Sequence, residues 1–394
     1  MLRKQNNIQL KLNSLGHAYN DAYHYIIPLL LPFFRQEFAF TYFQSGLILT
    51  FHEAIRSIFS LVFGSLADRY NHKNLIISSG FILASVLLGS VIYVNNLSLI
   101  ITALLLMAIG TATFHPLATA MVGERALPGK EGRDLSLFSA AGTFGLIITS
   151  LLFGWLVQIW GWRITCLIIS LPGFFLGISY LKIKNETKKE TGQIEKKLNS
   201  RNIFVIYFLC RVIMCLGTKP FLSFLPIYAT TYVGLKPGVS AWIVSIYFIG
   251  VFSGSLLISK FLDKQNPLKY SILATFFTSI LVYILTCFRI PFVIGLLIGS
   301  IGLMEGIYFP SQHTWLTRSG STKIQGKLFG FGFFIEGVSA TIAPSIYGWL
   351  ADKFGLLFAY RFASLPIFIS FLSYIYLYWL SENYRNSKTG IQRA

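Results

Sequence analysis

Acidic residues are scarce in this chain. Of 394 residues only 15 are Asp or Glu, and charged residues of both signs make up 12%. Ordinary soluble domains carry about 25%, so a single water-soluble core is excluded as the organising principle. Cysteine is equally sparse. Cys166, Cys210, Cys215 and Cys287 all stand in apolar stretches. They read as small packing residues, because Cys210 and Cys215 lack companion ligands at zinc spacing. No phosphate loop or dinucleotide fingerprint occurs. The run GTFG at 142–145 sits in an apolar stretch with no Lys-Ser after it and no strand before it. A nucleophile elbow and a histidine-rich metal cluster are also missing. The expectation is therefore a non-enzyme with no cofactor, no metal and no ATPase module. No small-residue cleavage site ends the first apolar run, so no cleavable signal peptide is expected.

What is abundant is apolar and aromatic. Hydrophobic residues make up 54%, with 36 Phe, 20 Tyr and 7 Trp. A membrane-crossing helix needs about 20 mostly apolar residues. Twelve stretches qualify, at 16–38, 44–66, 74–94, 97–122, 134–157, 163–181, 202–225, 238–259, 270–288, 291–315, 328–350 and 357–380. The fold class expected is an all-α polytopic membrane protein with twelve transmembrane helices in two pseudo-symmetric six-helix bundles. The 33 basic residues give a net charge of +18. They lie between the apolar stretches rather than on one face, so they do not indicate nucleic acid. With both termini cytoplasmic, 24 of the 33 fall in segments assigned to the inside. That asymmetry is the positive-inside rule for an even number of crossings.

The chain divides at a charged segment, KIKNETKKETGQIEKKLNSR, residues 182–201. The expected organisation is a bundle over 1–181, a cytoplasmic linker over 182–201 and a second bundle over 202–394. The halves echo each other. GSLADRYNHK at 64–73 corresponds to SKFLDKQNPL at 259–268. Gly154-Trp155-Leu156 corresponds to Gly348-Trp349-Leu350, and Trp160-Gly161-Trp162 to Phe354-Gly355-Leu356. A repeat of this length is a duplicated helix bundle, as in rocking, alternating-access carriers.

Gly64, Asp68, Arg69 and Lys73 carry a pattern that resembles the loop between the second and third helices of the major facilitator superfamily. The second copy places Asp263 and Lys264 at corresponding positions. A narrower similarity, to the fosmidomycin-resistance branch, lies in LGHAYNDAYHYIIPLLLP at 15–32, GTATFHPLATAM at 110–121 and SLFSAAGTFG at 136–145. Thr149-Ser150 stands where proton antiporters usually carry Gly-Pro. The resemblance implies a monomeric small-molecule carrier of the bacterial inner membrane, in contact with lipid and coupled to protons, with efflux as its direction. Uptake of a small solute is the alternative, and a non-transporting membrane receptor or scaffold is a third reading. It also implies a gating latch at Gly64, Asp68, Arg69, Lys73, Asp263 and Lys264.

A charge inside a span is costly, and is read first as a functional position. Asp21, Glu53, His115, Glu305 and Glu336 are the proton-coupling candidates. Arg56, Arg211, Asn20 and His24 are the candidates for holding the solute, the two arginines because a guanidinium forks onto a phosphate or carboxylate. Glu53 and Arg56 share a helix face at i,i+3, and His52 and Arg56 at i,i+4. Glu305 and Glu336 are expected either to neutralise the arginines or to titrate. Lys219, ahead of Pro220, is expected to reach for the interface.

Overall fold

The computed structural model describes residues 2–69, 72–125, 131–182, 201–262, 265–319 and 325–389. Every regular element in them is helical. The α-helices are α1 (Leu2–Phe38), α2 (Tyr42–Arg69), α3 (Lys73–Ser90), α4 (Leu97–Ala112), α5 (Phe114–Arg125) and α6 (Glu131–Leu181). They continue as α7 (Arg201–Thr231), α8 (Pro237–Ser259), α9 (Pro267–Leu285), α10 (Pro291–Ser319), α11 (Gln325–Phe354) and α12 (Leu356–Thr389). In hydrocarbon no water is available for an open N–H or C=O, so apolar runs of this length close their hydrogen bonds internally as helices. Polar residues mark several ends. Asn96 accepts a bond from Leu99 N–H at 3.2 Å at the start of α4. Asn266 accepts from Leu268 N–H at 3.1 Å, with Pro267 at the first helical position of α9.

Among the described residues, nine helices are long and apolar enough to cross a membrane. One of them, Phe138–Leu181, runs for 44 residues. At 1.5 Å per residue that is about 66 Å, twice a ~30 Å slab. It is broken at Gly161, whose φ of 71° and ψ of 168° are not helical. The stretch at 97–122 is also interrupted, by a turn at Thr113 between α4 and α5. Positive-φ backbone follows the internal repeat. Gly161 (φ 71°) and Gly355 (φ 88°) occupy corresponding positions, and so do Ala39 (φ 53°) and Gly234 (φ 82°) at the 195-residue offset of the motif pair. Both halves therefore turn their chain at the same places.

By contacts between Cα atoms the chain sorts into two compact units. The first holds residues up to Glu190 together with Phe224–Phe248. The second holds Thr191–Ser223 and everything from Ile249 onward. In the first unit α6 packs along α1 and α3, and α4 packs against α2 and α3. Tyr23 shares a hydrogen bond with Ser85 Oγ and donates to Ser170 O, both at 2.9 Å. A Cβ on Gly145 would lie 2.4 Å from the Ala18 backbone, so only glycine lets α6 approach α1 this closely. In the second unit α9 packs against α10 and α12. The Tyr308 and Tyr374 hydroxyls share a 2.8 Å hydrogen bond, and Ser370 donates to Cys210 O at 3.0 Å. Cys166, Cys210 and Cys215 are buried thiols, and Cys287 sits in the turn after α9. Ile58, Leu61, Phe175 and Phe292 are more than half exposed. Apolar surface of this extent belongs against lipid.

Candidate functional site

The first unit carries two polar clusters. Both begin on α1, where His17, Asn20, Asp21 and His24 recur at i, i+3, i+4 and i+7 and so form one stripe. In the first cluster His17 Nε2 lies 3.3 Å from Asp21 Oδ2, and His115 Nε2 lies 3.2 Å from Asp21 Oδ1. His17 Nδ1 donates to Phe138 O on α6 at 2.7 Å. The amide of Asn20, itself buried, meets His115 Nδ1 at 3.0 Å. Asn20 is thus a member of the cluster in the middle of α1. His115 is delivered by the α4–α5 turn. Pro116 has no N–H, so the Ala112 carbonyl loses its helical donor. Ser60 Oγ from α2 donates to that carbonyl at 3.3 Å. The proline therefore opens the helix beside His115, and α2 satisfies the carbonyl left behind.

The second cluster centres on Glu53 of α2, 8% exposed. Arg56 donates to Glu53 Oε2 through Nη2 at 2.8 Å and Nε at 3.2 Å. His24 Nε2 lies 3.0 Å from Oε1, and His52 Nδ1 lies 3.9 Å from the same oxygen. The i,i+3 spacing of Glu53 and Arg56 is realised as an ion pair, with the stripe on α1 supplying one further partner. Gly64, further along α2, passes Pro116 closely enough that a Cβ there would touch its ring at 3.6 Å.

In the second unit Arg211 of α7 is 1% exposed. Its Nη2 donates to Glu336 Oε1 of α11, and its Nη1 donates to the Tyr207 hydroxyl at 3.1 Å. Tyr207 in turn donates to Gln312 O on α10 at 3.1 Å, and Gln312 Nε2 donates to Ser271 Oγ at 2.8 Å. Arg211 Nε is buried with no acceptor among the described residues. A buried guanidinium held by a carboxylate on one side, with an N–H left over, can take an acceptor from a solute. Glu305 is buried on α10. Lys219 Nζ lies over the Phe309 ring at 5.8 Å, a cation–π contact inside the unit.

The structure thus brings together Asn20, Asp21 and His115, then His24, Glu53 and Arg56, then Arg211 and Glu336. Of the latch residues, Lys73 opens α3 and is half-buried. Asp68 and Arg69 close α2, with side chains outside the described residues, and Asp263 and Lys264 lie outside them altogether. His17, Tyr207 and Gln312 were not singled out from the sequence. A signal existed for two of them, since His17 precedes Asp21 by four positions and Tyr207 precedes Arg211 by four, one helical turn in each case.

Comparison with known proteins places this architecture. "Multidrug resistance protein MdtG" of Salmonella paratyphi A (strain ATCC 9150 / SARB42) is 22% identical over 322 residues, 79% of each chain. A bacterial homologue of the human lysosomal transporter Spinster, in an inward-facing and occupied conformation, superposes with a TM-score of 0.77 at 14% identity. The match covers 93% of this chain and 96% of that one. The nucleoside transporter NupG gives a TM-score of 0.77 at 12% identity, covering 94% and 99%. The profile of the Major Facilitator Superfamily matches residues 14–207 and again 207–393. The chain belongs to the Major Facilitator Superfamily and is a multi-pass membrane carrier of small solutes, not an enzyme.

Proposed function

We propose that this carrier exports a small polar molecule across the inner membrane of a bacterium in exchange for protons, by alternating access. The chain crosses the membrane twelve times, both termini are cytoplasmic, and Asp68 and Arg69 with their counterparts Asp263 and Lys264 latch the cytoplasmic side. The break at Gly161 supports two crossings within 138–181. The match to a protein named for multidrug resistance, over 79% of each chain, supports efflux as the direction.

One observation carries the coupling. Each unit holds a carboxylate paired with an arginine inside its spans, Glu53 with Arg56 and Glu336 with Arg211. A proton competes with the arginine for the carboxylate. A polar solute that hydrogen-bonds the same carboxylate competes with the proton, and competition of that sign is exchange. The same pairs favour a second reading for an anionic solute. There the solute takes the arginine, the released carboxylate takes a proton, and the two bind cooperatively, which is symport. The sign of the linkage separates the readings. Purified protein in liposomes, with an imposed pH gradient and a radiolabelled solute panel, measures it. Acid outside drives expulsion in the first reading and accumulation in the second. Glu53→Gln and Glu336→Gln each abolish the response to the gradient while leaving solute equilibration in place. If both variants keep the wild-type gradient response, neither carboxylate couples and the proposal fails.

A further inference from the structure

We infer that His17, Asp21 and His115 form a three-ligand site for a divalent transition ion of the zinc class, with the fourth coordination position open. This site lies beyond the transport reading, and no flux is needed to detect it. His17 Nδ1 donates its proton to Phe138 O at 2.7 Å, so a neutral His17 carries its lone pair on Nε2. That lone pair faces Asp21 Oδ2 at 3.3 Å. On the other oxygen, His115 Nε2 faces Asp21 Oδ1 at 3.2 Å, and its Nδ1 meets the Asn20 amide at 3.0 Å. An amide's oxygen and nitrogen exchange places on rotation by half a turn. With the Asn20 oxygen toward the ring, His115 Nδ1 donates to it and the Nε2 lone pair points at the carboxylate. Acceptors from three side chains then face one another, an arrangement stable only around a cation.

The geometry suits a metal. Ligand atoms at about 2.0–2.1 Å from a tetrahedral ion stand roughly 3.3–3.4 Å from each other. The two nitrogen–oxygen distances, 3.3 and 3.2 Å to the two different oxygens of Asp21, lie close to that spacing, and one ligand atom from each of the three residues lies within 4.8 Å of the others. His17 is held from behind by the Phe138 carbonyl oxygen and His115 by the Asn20 side-chain amide, whose oxygen faces the ring once the amide is turned by half a turn; supports of this kind fix the tautomer and ring angle of metal-bound histidine. Two imidazoles and one carboxylate suit zinc, cobalt or nickel, whereas calcium and magnesium take all-oxygen shells. The His115 side chain is 37% exposed and Asp21 20%, against 10% for His17, so the open position lies on the His115 side. The opposite wall is Gly142, where a Cβ would lie 2.6 Å from Asp21 Oδ2 and 2.8 Å from His17 Nε2. The neighbouring group of His24, His52 and Glu53 fails the same test. Arg56 already holds Glu53 Oε2, and its positive charge opposes a second cation.

Metal-stripped, full-length protein in detergent micelles, titrated with zinc by calorimetry and with cobalt by visible absorption, tests the site. The expected result is one zinc per chain, and the absorption bands of four-coordinate cobalt on nitrogen and oxygen ligands. Asp21→Asn and the double variant His17→Gln, His115→Gln lose this binding. Asn20→Ala, which removes the support behind His115, weakens it by about tenfold or more, and His52→Gln leaves it unchanged. The cobalt spectrum of the unmutated protein answers even if a variant does not fold. Absence of stoichiometric zinc and of the cobalt bands in that protein overturns the site and leaves a shared proton as the only cation there. Unchanged one-to-one binding in the double variant overturns it as well.

Discussion

Replacing Glu336 by Gln isolates the charge of Arg211. The guanidinium is 1% exposed, donates to Glu336 and Tyr207, and has one N–H with no acceptor among the described residues. Breaking a buried ion pair from one side costs about 3–5 kcal/mol, because the remaining charge keeps its desolvation penalty and loses its compensation. The Gln carbonyl still accepts one hydrogen bond, which returns ~1 kcal/mol. A net loss of about 2–4 kcal/mol follows, roughly 4–8 °C in the unfolding midpoint if 1 kcal/mol moves a large domain by ~2 °C. Removing both charges, with Arg211→Met added to Glu336→Gln, recovers most of that loss, since the unpaired charge is gone; wild type, the two single variants and this double variant form the cycle. Scanning fluorimetry on the four proteins of the cycle, purified in one detergent, reads the coupling. Additive losses in the double variant, or a Glu336→Gln midpoint within 1 °C of wild type, would show that water already screens the pair, and the reasoning would fail.

Three further outcomes follow from other places in the fold. Ala39→Gly raises the midpoint by an amount corresponding to about 0.5–1 kcal/mol, because φ 53° strains an L side chain and glycine adopts it freely; a lower midpoint in the same fluorimetry refutes this. Glu37 accepts from Trp162 Nε1 at 2.9 Å and from both Arg163 terminal nitrogens at 2.7 and 3.2 Å, tying α1 to the chain just past the Gly161 break. The Glu37 side chain is 38% exposed, so Glu37→Gln costs ~1 kcal/mol or less from the ion pair. A loss corresponding to more than ~2 kcal/mol in the thermal midpoint contradicts that account. Gly145→Ala overpacks the contact between α6 and α1, because its Cβ would lie 2.4 Å from the Ala18 backbone, and destabilises by about 1–3 kcal/mol; a wild-type midpoint means the helices separate without cost, and the close approach is not a constraint.

Much of the architecture is written in single stretches of chain. Apolar length predicts the helices, and the correspondence of Trp160-Gly161-Trp162 with Phe354-Gly355-Leu356 anticipates two chain reversals that share positive φ. The interruption of 97–122 at Thr113 was not legible, although Pro116 is its sequence trace, because a proline kink depends on whether a neighbour takes the orphaned carbonyl. Here Ser60 does so. The absence of a histidine-rich run argued against a metal site, yet His17, Asp21 and His115 meet across α1 and α5. A sequence scan at short spacing does not register ligands that converge from separate helices.

Composition and periodicity by themselves determined that this protein lives in a bilayer, is helical, is duplicated and carries its positive charge between spans. Those properties are local, because an apolar run in hydrocarbon must close its own backbone hydrogen bonds. Only the tertiary structure decided which buried charges become partners. Asp21 of α1 meets His115 of α5, and Arg211 meets Glu336 across 125 positions. Arg56, by contrast, finds Glu53 three residues away. Burying a charge is affordable only beside its complement, and for charges on different helices the complement is chosen by packing.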